Sequence, residues 1–347
     1  MEQIRRGERP FRRMRVFLAL LVSAVFMLIS GYNPLESYGA LVEGSFGSIS
    51  NIATTLGIAT PLILSGLSVS LAYKGGFLNV GVESQLLIGA FVAAVVGTIP
   101  GIPSLLHIPL CFVSAMAAGG LLGMLCAYLK RVLNVSELII TVLINYIVEY
   151  LVGYLVTGPF AADSKLTRTN NMMDSARIPM LVENNRLSSG IFLAILCALF
   201  VWWLLYRTRK GYEIRASGLN PTAAAAAGIS PYGSMYFSML ISGGLAALGG
   251  AIESMGFYGN YIATMVSGYG FSGLTMAIMG GFSSTGCVIT SILFGALRAG
   301  SSNMNRSTNI PGEFITVLQA LVILLVASPR LIRIMKTAFT KAKKERG

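Results

Sequence analysis

Apolar residues run along this chain in long blocks, separated by short polar stretches. A helix needs about twenty apolar residues to cross a bilayer. Blocks that approach this length cover Val16 to Gly31, Ile49 to Tyr73, Ser84 to Thr98, Ile108 to Leu129, Glu137 to Thr157 and Ser189 to Tyr206. They are followed by Ser234 to Ala251, a short glycine-rich run from Gly268 to Phe282, Gly286 to Gly300, and Phe314 to Ser328. The pattern predicts an all-α polytopic membrane protein of about ten transmembrane helices, one domain over residues 1–347. The Arg-rich start and first apolar block have the outline of a signal peptide, yet "GYNPLE" beyond them holds no small-residue cleavage site. A retained first helix is expected.

Composition sharpens this picture. The chain has 347 residues, of which 54% are hydrophobic and 12% charged, and its mean hydropathy is +0.71, which excludes an ordinary soluble domain. The net charge of +12 reads as orientation rather than as nucleic-acid binding, because Lys and Arg collect on the cytoplasmic side of membrane proteins. With the N-terminus inside, 20 of the 26 basic residues fall in the cytoplasmic segments. These segments are the basic N-terminus 1–15, the turns at Lys74 and at Lys130 and Arg131, the stretch 207–233 and the basic tail 329–347. Both termini are therefore expected in the cytoplasm. The long polar segment 158–188, nearly neutral, falls outside. Cys111, Cys126, Cys197 and Cys287 are widely spaced in or beside apolar blocks, and read as packed thiols rather than a metal or disulfide set.

Several chemistries are missing. No GxxxxGK[ST] occurs, so no P-loop of this chain can cradle ATP, and any ATP work belongs to a partner. The one histidine, His107, lies at the outer membrane edge without an HExxH, and no GxSxG occurs. "GYGFSG" fits GxGxxG in form only, since no strand precedes it and it opens into a membrane segment.

Polar groups inside the apolar blocks are the informative anomalies. Thr141, Asn145, Glu149 and Gly153 recur every fourth residue on one predicted helix. A carboxylate near mid-membrane costs roughly 2.5–3.5 kcal/mol, so Glu149 is expected to face protein or a wet cavity. Interhelical hydrogen bonding and the lining of a transport path are both open for this stripe. In "KGGFLNVGVESQLLIGAF", Asn79, Glu83 and Gln85 interrupt a hydrophobic run, and "SGYGFSGLTMAIMGGFSSTG" with Tyr269, Phe271 and Ser272 is its counterpart further on. Paired broken segments point to a translocation site. A cytoplasmic loop with a cap for the next helix is the plainer alternative. Tyr258, Tyr261, Tyr269 and Phe271 lie near the second break, where aromatic side chains can form an interfacial belt. A weak echo of "LILSGLSVSLAYKGGF" in "MLISGGLAALGGAIESMGF" suggests two inverted halves.

One soluble-looking helix remains. In "YEIRASGLNPTAAAAAGIS", Asn220 is a good N-cap, Pro221 takes the first helical position, alanines run from Ala223 to Ala227, and Gly228 ends the helix. It has no apolar stripe and is too short to hold itself together in water, so something else must hold it.

Together "TPLILSGLSVSLAYKGGFLNVGVESQLLIGA", "SELIITVLINYIVEYL", "EIRASGLNPTAAAAAGIS" and "GYGFSGLTMAIMGG" resemble the ATP-binding-cassette importer permeases of the branched-chain amino acid, ribose and nucleoside group, over nearly the whole chain. "NVGVE" and "INY" look closest to the nucleoside and simple-sugar permeases, while Ser84 stands where family members often carry Gly. The resemblance implies a permease in the bacterial cytoplasmic membrane that binds no cofactor itself. Its partners would be a second permease chain, cytoplasmic ATPase subunits carrying ATP-Mg, an extracytoplasmic substrate-binding lipoprotein and a small solute. It also implies that the alanine helix and its approach couple to the ATPase, through Glu213, Arg215, Ala216, Gly218, Asn220, Pro221, Ala224, Ala225 and Gly228. Nucleosides, simple sugars such as ribose, and vitamins such as flavins remain open as solutes. An ion-coupled secondary transporter would leave the alanine helix unexplained, and an intramembrane enzyme would need a nucleophile and base that the sequence does not pair.

Overall fold

The computed structural model describes residues 21–25, 27–29, 31–162, 167–182, 185–308, 317 and 320. The basic start 1–15, most of the block Phe314 to Ser328, the tail 329–347, and Asp163 and Glu183 of the outer segment lie outside the described residues. Among the described residues regular structure is helical, and strand-like pairing is confined to isolated bridges.

Among the described residues, the apolar blocks between Ile49 and Gly300 become helices close to their expected bounds, with further helices before and between them. In chain order these are α1 (Pro34–Phe46), α2 (Ile49–Lys74), α3 (Val82–Val96), α4 (Ser104–Leu133), α5 (Glu137–Thr157), α6 (Gly190–Arg207), α7 (Arg209–Leu219), α8 (Pro221–Ala226), α9 (Pro231–Ile252), α10 (Tyr269–Met279) and α11 (Ser284–Thr308). Among the described residues five are long and apolar enough to cross a membrane: α2, α4, α5, α6, and α9 with the π-helical turn Glu253–Tyr258 that continues it. α3 is apolar but only 15 residues long. α1, which the apolar pattern did not reveal, begins where Pro34 takes the first helical position and Asn33 Oδ1 accepts from Leu35 N at 3.1 Å.

The chain forms two compact units, residues 1–52 with 296–347, and residues 53–295. In the first, α1 lies against the end of α11. Ser45 Oγ donates to the Ala296 carbonyl at 2.6 Å, Asn303 Nδ2 donates to the Ala40 carbonyl at 2.9 Å, and Met27, Ala40, Leu41 and Met304 pack together.

In the second unit α9 runs along α4 and α3. Gly119 on α4 and Gly243 on α9 approach so closely that a Cβ on either would meet the other's backbone, which is the small-residue packing expected between helices that gain no hydrophobic drive from lipid. The two echoing segments meet here, where the Ser242 hydroxyl donates to the Ser68 carbonyl at 2.8 Å. All four cysteines are buried free thiols.

The outer polar segment is folded rather than loose. It zips along the π-helical turn and the residues after it, with Met172 N donating to Gly259 O at 2.8 Å, Thr169 N to Tyr261 O at 3.1 Å and Ile178 N to Met255 O at 3.2 Å. His107 closes the same side: its Nδ1 lies 2.8 Å from Ser175 Oγ and its Nε2 3.1 Å from the Val96 carbonyl. Arg186 reaches the buried Glu253 at 3.4 Å, donates to the Tyr258 hydroxyl at 3.0 Å and stacks over the Phe257 ring at 4.5 Å. Pairing of this kind removes backbone groups from water, which is why a polar segment can be ordered without a helix or a sheet.

Candidate functional site

The first expected break exists, and the second lies over residues 259–268, ahead of the glycine-rich run that the sequence pointed to, most of which is α10; each break is followed by a short helix whose start is capped from elsewhere. At the first, the chain leaves helix over residues 75–81 before α3. Ser84 N donates to Asn145 Oδ1 at 3.1 Å, and Asn145 Nδ2 donates to the Val80 carbonyl at 3.1 Å. One side chain of α5 thus satisfies both a free N–H of the helix start and a carbonyl of the break, as backbone in a membrane requires. At the second break, the Glu83 carboxylate accepts from Gly268 N at 2.5 Å and from Gly270 N at 2.6 Å, capping α10 with a negative charge at its positive end. Gly270 has to be glycine: a Cβ there would sit 2.5 Å from Glu83 Cα.

These two helix starts and α5 enclose a cavity of about 300 Å³, at the lower end of the range for small-molecule sites. Glu83, Ser84 and Leu87 come from α3; Val142, Asn145, Tyr146 and Glu149 from α5; Ala263, Thr264, Ser267, Gly268 and Phe271 from the second break and α10. Among the described residues two carboxylates face it, and no Lys, Arg or His lines it. Tyr146 and Phe271 are more than half exposed, at 56% and 51%.

Of the residues that the sequence singled out for the path, Glu83, Asn145, Glu149 and Phe271 line this cavity. The others stand behind it. Asn79 donates to Gln85 Oε1 and to Ser242 Oγ, both at 2.9 Å, in a buried network that holds the first break. Thr141 is buried and donates back to the Glu137 carbonyl at 2.7 Å. Ser272 donates to the Gly268 carbonyl at 2.6 Å, and Tyr269 is buried. Tyr261, 1% exposed, lies edge-on to Phe91 at 5.8 Å, and Tyr258 is engaged with Arg186.

The four-residue stripe on α5 therefore divides. A helix turns about 100° per residue, so each step of four advances about 40° around the axis, and the stripe winds from the buried Thr141 through the wall residue Asn145 to the exposed Glu149. Tyr146, Thr264 and Ser267 were not singled out from sequence. Tyr146 precedes Glu149 by three residues, a spacing that puts both on one face and could have flagged it.

Residues 51–327 match the pattern of the branched-chain amino acid transport system permease component. The chain belongs to this family. The permease is 38% identical, over 92% of its length and 92% of the relative's, to the guanosine ABC transporter permease NupP of Bacillus subtilis. It is 32% identical to the nucleoside ABC transporter permease NupB of Lactococcus lactis subsp. cremoris, over 92% and 91% of the two chains, and 29% identical to the glucose ABC transporter permease TsgB13 of Haloferax volcanii, over 90% and 85%. No solved structure matches it. It is a membrane-spanning subunit of an ABC importer, a transport component rather than an enzyme by its family, multi-pass in the membrane, which in bacteria is the cytoplasmic membrane.

The expected alanine helix of the permease is α8, and a further helix, α7, leads into it. Thr208 Oγ1 accepts from Gly211 N at 3.0 Å to start α7, which carries Glu213, Arg215, Ala216 and Gly218. Asn220 Oδ1 then accepts from Ala223 N at 3.0 Å to start α8, with Pro221 at its first position and Gly228 in the left-handed region (φ 76°) just beyond its end. α7 packs on α6 and α9, and a Cβ on Gly218 would sit 2.9 Å from Gly76 N. Glu213 pairs with Lys210 at 2.9 Å and Arg209 at 3.3 Å. The Lys210 hydrogen bond and the charges of Lys210 and Arg209 hold its carboxyl below the usual carboxylate range. Arg215 stacks over the Tyr206 ring at 5.1 Å. Within α8, Ala224 is 4% exposed and faces the protein, whereas Ala225 and its other neighbours are exposed. The support that this short helix lacked in the sequence comes from α7 and α9 beneath it.

Proposed function

We propose that this permease forms the path for nucleosides, with the cavity between α3, α5 and α10 as the point where the solute passes. The observation that carries the reading is the wall itself: exposed Tyr146 and Phe271 rings beside hydroxyl, amide and carboxylate acceptors, with no basic side chain among the described residues. Such a wall suits a neutral, flat, donor-rich solute, because base–aromatic stacking is worth roughly 1–3 kcal/mol and an anion would meet only carboxylates. The names of NupP and NupB point the same way. A simple sugar, in line with the name of TsgB13, is the second reading; it leaves the two rings without a use.

In this reading the transmembrane helices number about ten, arranged in inverted halves, with both termini in the cytoplasm and segment 158–188 outside. A second permease chain completes the path. Bacillus subtilis and Lactococcus lactis each have a further nucleoside or guanosine permease, NupQ and NupC, 27% and 28% identical to this chain, which supports a paired arrangement. Cytoplasmic ATPase subunits bind ATP-Mg and dock on the exposed face of α7 and α8, an extracytoplasmic binding protein delivers the solute, and this chain binds no cofactor. The test is uptake of radiolabelled guanosine by the assembled importer in cells without other nucleoside uptake. Strong glucose or amino-acid uptake with no nucleoside uptake would refute the proposal.

A further inference from the structure

The two carboxylates on the cavity wall are in different states. Both oxygens of Glu83 are taken by backbone N–H groups of the α10 start. Glu149 is exposed to the cavity and makes no hydrogen bond or ion pair among the described residues. A carboxylate on a spanning helix is costly in hydrocarbon and needs water or donors around it. Among the described residues no cation lines the cavity to supply them. Its neighbour Tyr146, one turn back on α5, and Phe271 on α10 offer ring faces beside it.

We infer that Glu149 is a specificity-determining residue of the cavity, whose two oxygens receive a pair of neighbouring hydrogen-bond donors on a neutral solute. The assignment rests on the nucleoside reading above and deepens it. A nucleoside presents such a pair in two places, the 2′,3′-diol of the ribose and, in guanine, the N1–H beside the exocyclic amino group. Either fits a carboxylate in two-pronged fashion. A nucleotide phosphate would face two carboxylates and no positive charge, and is rejected. Glu83 cannot take this part while both its oxygens hold α10.

The test uses the complete importer in liposomes, with both permease chains, ATPase and binding protein, as wild type and with Glu149→Gln. Glutamine keeps the length and one acceptor but loses the charge and the second acceptor, and the exposed position leaves the fold alone. Initial rates are measured for guanosine, for inosine, which lacks the exocyclic amino group, and for 2′,3′-dideoxyguanosine, which lacks the diol, each at saturating loading of the binding protein as checked by calorimetry. Wild type should favour guanosine over the analogue missing the recognised donors by roughly tenfold or more, and Glu149→Gln should bring that ratio close to one while assembly is kept. Collapse against inosine assigns the base edge; collapse against the dideoxy analogue assigns the diol. Unchanged ratios against both analogues overturn the inference, and so does an equal slowing of all three solutes, which would mark a packing role. A wild-type importer that moves none of the three refutes the nucleoside reading itself, and the assignment with it.

Discussion

Replacing Glu83 by glutamine should loosen the joint between the two short helices. In the folded chain its carboxylate accepts at 2.5 and 2.6 Å from the N–H groups of Gly268 and Gly270. Hydrogen bonds to a charged group contribute about 1.5–3 kcal/mol each, so the pair is worth about 3–6 kcal/mol before its replacement is considered. Glutamine can still offer one neutral carbonyl, worth about 0.5–1.5 kcal/mol, but its amide turns N–H toward N–H at the second contact. The net loss is about 3 kcal/mol, and for a chain of this size that lowers the melting midpoint by roughly 4 °C. The assay is thermal unfolding of the detergent-solubilised permease, followed by the amount that remains monodisperse. Glu83→Ala should fall further, because two donors at a buried helix start are left unpaired. If Glu83→Gln melts with the wild type, the carboxylate is not what holds α10, and the account of the second break is wrong.

Three further predictions test other parts of the permease. Ala225→Trp, on the exposed side of α8, should abolish co-purification with the ATPase and transport while leaving the permease in the membrane, and Asn220→Ala, which removes a cap worth about 1 kcal/mol, should give a milder form. Normal ATPase binding by Ala225→Trp would remove the coupling role. Ala224→Trp, by contrast, overpacks a buried site and should lower the melting midpoint of the isolated chain. At the outer segment, Glu253→Gln should destabilise the permease by about 1–3 kcal/mol, since it strips the partner from Arg186 at a largely buried site. Adding Arg186→Leu should restore part of that loss in the same melting assay, and a double variant that is worse than the single would contradict a coupled pair.

Much of the fold was legible because the requirement is one-dimensional. Lipid accepts only backbone that satisfies itself, so each spanning helix announces itself as an apolar block, and α2 through α6 and α9 lie where the blocks lie. The caps Asn220 and Pro221 and the left-handed Gly228 were equally local and equally readable. α1 escaped because its Glu36, Ser37, Glu43, Gly44 and Ser45 break the apolar pattern, and its partner on α11 is far away in sequence. The outer segment escaped for a similar reason: its order comes from backbone pairing with residues 255–261, which leaves no periodic trace.

For the site, the sequence by itself determined which polar residues had to be kept from lipid: the Asn79, Glu83 and Gln85 group, the α5 stripe and the glycine-rich second break. Helical repeat and the cost of burying polar groups suffice for that. Only the tertiary structure decided what each does. Glu83 and Glu149 are the same side chain in similarly polar interruptions, yet Glu83 is spent on Gly268 and Gly270 while Glu149 is free in the cavity. Nothing local distinguishes them, because a carboxylate's state depends on which donors another helix brings within reach, and α10 reaches Glu83 from 185 residues away along the chain.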